Sequence, residues 1–251
     1  MRDTDFVGGF AKGLKVIEAF GEATRKLTIA DVAKTTSLDR ATARRCLLTL
    51  SELGYADYDG KFFALTPKIL RLGHAYLSAT PLPQMIQPFL DRLSEQVGQS
   101  ASASVLDGTD VVYIARASHR RVMSINLMPG SRLPAYCASM GRVLLAALPE
   151  EEARTVLGNT SIRAFTSFTR TDPDELMGEL ARVRAQGYAV IDQELELGLC
   201  SIAVPLRDQH QRVVAALNVG VSAAQVPIID LTGRFLAPLQ SIAQDLQPML
   251  R

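Results

Sequence analysis

The sequence predicts an α+β protein in two parts, a small helical module ending in a hairpin and a larger part with an antiparallel sheet and flanking helices. Three observations carry this. Thr28 to Leu53 shows two short helical periods broken by a polar turn. Asp59-Gly60 and Asp107-Gly108 each lie between alternating apolar segments, the strongest short hairpin signal. Helix and strand patterns then follow one another from residue 84 to the C-terminus.

In chain order, a helix begins in Phe10 to Ala23, where Phe10, Leu14 and Ile17 mark an apolar stripe widened by Val16 and Phe20. Ile29, Val32 and Ala33 give the next helix its apolar side, and Thr35, Thr36 and Ser37 break it, because short hydroxylated side chains compete for backbone hydrogen bonds. Asp39 is placed to cap a further helix in which Ala43, Cys46, Leu47 and Leu50 recur as a buried stripe. The other side of that helix carries Ala41 and Arg45, with Arg44 on one edge and Thr42 and Thr49 on the other. Small residues allow close approach and Arg donates two bonds to a guanine edge, which suits a helix in a DNA major groove. An αα-hairpin with solvated arginines is the competing reading. Gly54 stops the helix, and YADYDGKFFAL then reads as a hairpin that the competing reading does not predict. Together these make a winged helix-turn-helix over residues 1–65, with Arg40, Ala41, Thr42, Arg44, Arg45 and Thr49 facing DNA and Lys61 reaching phosphate from the wing.

Thr66-Pro67 is a helix start, a capping hydroxyl followed by proline. The helix that follows is apolar on more than one side (Ile69, Leu70, Leu72, Tyr76, Leu77), so a second copy of the chain is its natural cover. Pro81 and Pro83 end this linker, residues 66–83. From 84 to 251 the chain reads as a helix at Gln84–Val97, then SASASVL and DVVYIARAS about Asp107-Gly108, then VMSINLM as a third strand. Ser139 is a plausible cap for a helix from Met140 to Ala147, and further helices fall at Glu150–Leu157 and Pro173–Gln186. Strands follow at Tyr188–Ile191, Ser201–Leu206 and Val213–Val221, and an amphipathic helix interrupted by Pro238 closes the chain over Val226–Met249.

Charge is uneven. Residues 1–80 hold 12 Lys+Arg against 9 Asp+Glu, whereas residues 81–251 hold 15 against 17. A basic N-terminal part favours an anionic partner there. No apolar run is long enough to span a membrane, and the charged N-terminus lacks a signal core, so the expected location is cytoplasmic. Cys46, Cys137 and Cys200 lie far apart without CxxC spacing, which gives neither a disulfide framework nor a metal signature. No nucleophile elbow, phosphate loop, dinucleotide fingerprint or paired-histidine motif is present, so neither catalysis nor a cofactor is expected. The acidic stretch Asp192, Glu194, Glu196 reads as a solvated loop and the two later thiols as small packed hydrophobes. A ligand site has better support at Ser139-Met140-Gly141-Arg142. There a helix start offers free N–H groups to a carboxylate, the glycine lets a ligand come close, and Arg132 or Arg142 adds charge. An ordinary helix start remains the alternative.

Three segments carry a resemblance to the IclR-type transcriptional regulators. They are Phe10 to Phe20 with Arg40 to Leu53, then Gly130 to Ala146, then Gly187 to Asp192 and Glu194 with Gly198 to Pro205. The form SRLPAY-x-x-SMGR resembles the subgroup controlling protocatechuate and p-hydroxybenzoate breakdown in the β-ketoadipate pathway. The resemblance implies a GAF-like effector domain over residues 84–251 and a small aromatic or dicarboxylic acid as effector. It implies Ser139 and Met140 at the helix start, Leu133 and Ile125 as apolar walls, and Leu199 and Ser201 before the Ala-x-Pro strand. Ser201 stands where many members have Cys. Asn218 and Asp192 complete the implied set, and Arg132 is the choice for charge compensation. It further implies double-stranded operator DNA as partner, a homodimer or homotetramer, and no enzymatic activity. The other class of protein compatible with the chain is an enzyme acting on a small aromatic acid with an appended DNA- or protein-binding domain.

Overall fold

The computed structural model describes residues 6–21, 24–79, 81–119 and 127–250, with side chains omitted at 77 and 78. The chain divides into two compact units, Met1–Ala79 and Thr80–Arg251. Among the described residues no helix is long and apolar enough to cross a membrane.

The first unit holds α1 (Gly8–Glu18), α2 (Ile29–Thr36), α3 (Arg40–Glu52) and a hairpin of β1 (Ala56–Tyr58) and β2 (Phe63–Leu65). A 3₁₀ turn, Pro67–Ile69, then leads into α4 (Leu70–Ala79). Thr28 caps α2 through a reciprocal box, its hydroxyl accepting from Asp31 N–H while the Asp31 carboxylate accepts from Thr28 N–H. Ser37 ends α2 in the left-handed conformation, and the Asp39 carboxylate caps α3 by accepting from Thr42 N–H at 2.8 Å. Val16, Val32, Ala43, Leu47 and Phe63 make the core, and Leu27 exchanges two backbone bonds with Phe63 beside the hairpin.

Two expectations are corrected here. The stripe Phe10 and Leu14 stays exposed and the core instead receives Val16, because α1 turns its Val16–Ile17 side inward and ends at Glu18. The wing does not turn on Asp59-Gly60 alone. Tyr58 pairs with Phe63, so the loop has four residues, and the Asp59 carboxylate closes it by accepting from Lys61 and Phe62 N–H.

The second unit is a six-stranded antiparallel sheet in the order β5-β4-β3-β8-β7-β6. Its strands are β3 (Ser100–Asp107), β4 (Asp110–Ala117), β5 (Arg132–Pro134), β6 (Ala189–Asp192), β7 (Leu199–Arg207) and β8 (Val213–Ser222). Its helices are α5 (Leu82–Val97), α6 (Ser139–Ala147), α7 (Glu150–Gly158), α8 (Pro173–Gln186) and α9 (Ala237–Leu246). Alternation along β7 sorts the two faces. Cys200, Ile202, Val204 and Leu206 pack towards α5 and α9, while Ala203 joins the layer of α6 and α8. One irregularity matters for the site. Pairing passes from Ala103↔Ala115 to Ser104↔Tyr113, so Ile114 is an extra residue in β4.

Three further differences follow from local chemistry. Ala138, not Ser139, caps α6, and Ser139 is its first residue. The long closing helix is a series of short pieces, with a π-helical turn at Thr232–Leu236 absorbing the donor lost at Pro238. Most of the expected strand VMSINLM, Ile125 included, lies outside the described residues.

Candidate functional site

On α3 the side chains of Arg40, Ala41, Arg44, Arg45 and Thr49 are exposed, opposite buried Ala43, Leu47 and Leu50. Thr42 departs from the expected reading face. It is buried, and its hydroxyl accepts from Arg45 Nη2 at 3.3 Å. Thr49 donates its hydroxyl to the Arg45 carbonyl at 2.8 Å. Lys61 is exposed on the wing loop with Nζ 5.0 Å from the Phe62 ring centre. The face therefore presents three guanidinium groups around one small residue, and the wing of the same unit carries an exposed ammonium.

In the second unit a cavity forms where α6 starts above the sheet. Its floor is polar and comes from four strands: Ser100 on β3, Arg116 on β4, Ser201 on β7, and Asn218 with Gly220 on β8. Ala138, Ser139 and Met140 stand over it at the first turn of α6, and Tyr113, Leu127, Leu133, Ile191, Leu195 and Leu199 give it apolar walls. Ser201 Oγ donates to Ser139 Oγ at 2.9 Å, which ties the helix start to the sheet. Asn218 Oδ1 is buried and has no hydrogen-bond partner among the described residues. Arg116 donates from Nη1 to Ser102 Oγ at 3.0 Å and from Nε to Ser118 Oγ at 3.2 Å. Burial holds its pKa below the ordinary guanidinium value, and the same cause pushes the Tyr113 phenol up to about 12. A guanidinium and the unpaired N–H groups of a helix start thus meet a neutral phenol and two serines. That arrangement takes a carboxylate at one end and hydroxyl or keto oxygens at the other. The cavity volume is about 40 Å³, against roughly 300 Å³ and above for ligand pockets. An aromatic ring is admitted only if lining side chains move.

Of the residues expected here, Leu133, Ser139, Met140, Leu199, Ser201 and Asn218 come together. Two do not. Arg132 stands on the edge strand β5 and is bound to Asp107 at 2.6 Å and Asp110 at 3.1 Å, acids brought there by the β3–β4 turn. Asp192 lies beside Arg142, Arg170 and Glu194, where its carboxylate accepts from Cys200 Sγ at 3.2 Å. The cation that sequence reading missed is Arg116; an arginine inside the otherwise apolar strand DVVYIARA was its signal.

The acidic stretch is not a solvated loop either. Glu194 is buried and receives Arg142 Nη2 at 2.7 Å and Arg170 N–H at 3.1 Å, while Glu179 lies 3.8 Å from Arg142 and binds Arg182 at 2.6 Å. Arg142 donates from Nε to the Tyr136 carbonyl, so it braces α6 and adds no charge to the cavity. Gly141 also serves packing. A Cβ there would run into the Ala135 backbone, so the glycine makes room for the chain before α6, not for a ligand. Burial pushes the Cys137 thiol up to about 12, with the Glu194 charge adding to it. Burial, and then the bond to Asp192, does the same to Cys200. Neither thiol is poised as a nucleophile.

A helix-turn-helix unit with a wing and a separate unit holding a small polar-floored cavity define a ligand-sensing regulator architecture. Residues 10–60 match the IclR helix-turn-helix domain, and residues 74–247 match the family described as bacterial transcriptional regulator IclR C-terminal. The chain belongs to the IclR family of bacterial transcriptional regulators. It is 50% identical over 245 residues to the Pca regulon regulatory protein of Pseudomonas putida, covering 97% of this chain and 84% of that one. It is 36% identical over 255 residues to the p-hydroxybenzoate hydroxylase transcriptional activator of Acinetobacter baylyi, covering 100% of this chain and 94% of the relative. Among solved structures, an IclR homolog complexed with 4-hydroxybenzoate from Microbacterium hydrocarbonoxydans superposes with a TM-score of 0.77 at 26% identity, over 95% of this chain and 99% of that one.

Proposed function

We propose that this protein is an operator-binding regulator of aromatic-acid catabolism genes whose effector is a small aromatic or dicarboxylic acid bound in the cavity at the start of α6. The observation that carries the reading is Asn218, which lines the same cavity as Arg116 and the Ser139–Ser201 pair and whose buried Oδ1 has no hydrogen-bond partner among the described residues. Such a group is costly to bury alone, and a ligand hydroxyl offsets that cost. Protocatechuate, p-hydroxybenzoate and a β-ketoadipate-like acid lead, supported by the named roles of the Pseudomonas and Acinetobacter relatives and by 4-hydroxybenzoate in the Microbacterium homologue.

In this reading residues 1–65 bind double-stranded DNA through Arg40, Ala41, Arg44, Arg45 and Lys61, residues 66–83 link, and residues 84–251 sense the effector. Exposed Phe10, Leu14, Leu70 and Leu72 in the first unit support a homodimer, whose two α3 helices then read paired half-sites; pairing through the larger units would extend it to a tetramer. The protein acts in the cytoplasm and carries out no catalytic step. Footprinting on its own upstream region, with and without each acid, tests the reading. Protection that shifts with one of the three acids is the expected result. Protection indifferent to every small acid would remove the sensing role, and no protection would remove the operator.

A further inference from the structure

A second concavity lies at the other end of α6, about 540 Å³ in volume and inside the roughly 300–1,000 Å³ range of ligand pockets. Its apolar walls include Leu106 of β3, Leu148 beyond α6 and Val213 of β8, and its cations are Arg184, Arg207 and Arg212. No carboxylate lines it among the described residues. The three guanidinium groups are not equally engaged. Arg212 is neutralised by Asp208 at 2.7 Å. Arg184 donates to the carbonyls of Ala146 at 2.8 Å and Leu148 at 3.0 Å, which closes the α6 terminus and leaves its charge uncompensated. Arg207 is exposed and gives one bond to the Gln211 carbonyl at 2.8 Å. A guanidinium has five donors, so Arg207 keeps capacity for a ligand.

An apolar trough with a net positive rim selects a molecule with an apolar body and one anionic end. We infer that this cleft is a second small-molecule site, for an amphiphilic monocarboxylate. The site stands apart from the effector reading, since it uses none of the residues at the start of α6. The two are nonetheless linked by that helix. Its nine residues rise about 13 Å at 1.5 Å each, from Ser139 over the first cavity to Ala146 and Ala147 on the cleft.

Octanoate is the probe, titrated by calorimetry into the full-length chain. One octanoate per chain is expected, with octanol at least tenfold weaker. Arg207→Glu and Ala147→Trp both fall at exposed positions, where substitutions disturb folding least. The first reverses the rim charge and the second fills the trough, and each should weaken octanoate at least tenfold. Saturating 4-hydroxybenzoate should not displace it. The inference fails if no saturable binding is seen, if 4-hydroxybenzoate displaces octanoate one for one, or if neither variant changes affinity. It fails equally if the variants change only the sedimentation of the protein, because a second copy of the chain would then occupy the cleft.

Discussion

Arg142 and Glu194, 52 residues apart in sequence, meet at 2.7 Å with both side chains closed off from solvent. The pair joins α6 to the turn that carries Leu195 into the effector cavity, so one contact sets the position of two cavity walls. Removing one member of a buried ion pair leaves the other charge uncompensated, at a cost of about 3–5 kcal/mol. Glu194→Ala should therefore lower the urea midpoint at unchanged slope. A midpoint equal to that of the parent protein would mean that Glu179 alone suffices for Arg142.

Gly141→Ala should destabilise by about 1–3 kcal/mol or more, because the added carbon meets backbone that cannot rotate away. The same variant should loosen the acid, since the start of α6 must shift from the sheet. Thermal melts and calorimetry read the two effects. Intact affinity alongside a lowered melting temperature would separate the helix start from the ligand.

Arg116 and Arg132 make opposite predictions. Arg116→Gln removes a charge-assisted bond of about 1.5–3 kcal/mol, which is a loss of one to two orders of magnitude in acid affinity, and brings the acid and its uncharged amide closer together. Arg132→Gln breaks only an exposed cluster with Asp107 and Asp110 and should leave affinity alone. Equal affinities for acid and amide in the unaltered protein would remove charge reading from the cavity altogether.

On the DNA face, Arg44→Ala or Arg45→Ala should cost about 1–3 kcal/mol and relax selectivity at one base pair if that arginine grips a guanine. Lys61→Ala should weaken all sequences alike and reduce the salt slope. Binding to operator variants at two salt concentrations distinguishes these patterns. Unchanged affinity in both arginine variants would move the reading face off α3.

The thiols predict a pH response. Burial raises Cys137 and Cys200 from 9.0 to about 12 in the folded chain. The unfolded chain releases those protons first, so stability is complete below about pH 9 and declines as pH climbs towards 12. Thiol reagent at pH 8 should modify Cys46, which is only half-buried, well before the other two. Simultaneous modification of all three would show that the second unit opens as readily as the first.

The N-terminal unit was legible because its signals are local. Asp39 caps the helix that its position announced, and Ala43, Leu47 and Leu50 are buried as their spacing requires. The effector cavity was legible only where consecutive residues build it, at Ser139 and Met140, or where the family pattern marks a position, as at Asn218. What escaped depends on contacts between distant segments. Nothing near Arg132 in sequence shows that the β3–β4 turn will present two carboxylates to it, nor does Gly141 announce that the Ala135 backbone lies against it. Glu194 looked like a surface acid for the same reason, its partners Arg142 on α6 and Arg170 before α8 lying 52 and 24 residues away in sequence.

The extra residue Ile114 also governs what changes in length β4 can accept. Tyr113 and Arg116 carry odd and even numbers yet face the same cavity, which a regular strand forbids. Deleting Ile114 would remove the bulge, leave the two residues two apart and keep both on the cavity side. Straightening β4 at its full length would instead send one of the two to the opposite face; if Arg116 moved, its guanidinium would enter the layer formed by Ile202, Val219 and Leu239, and an alanine would take its place on the cavity floor. A full-length β4 without its bulge would then fold at a penalty of several kcal/mol and lose its response to acids together. In comparing relatives, a one-residue gap at this point keeps the chemistry of the floor, and should be read as loss of the bulge rather than of the arginine.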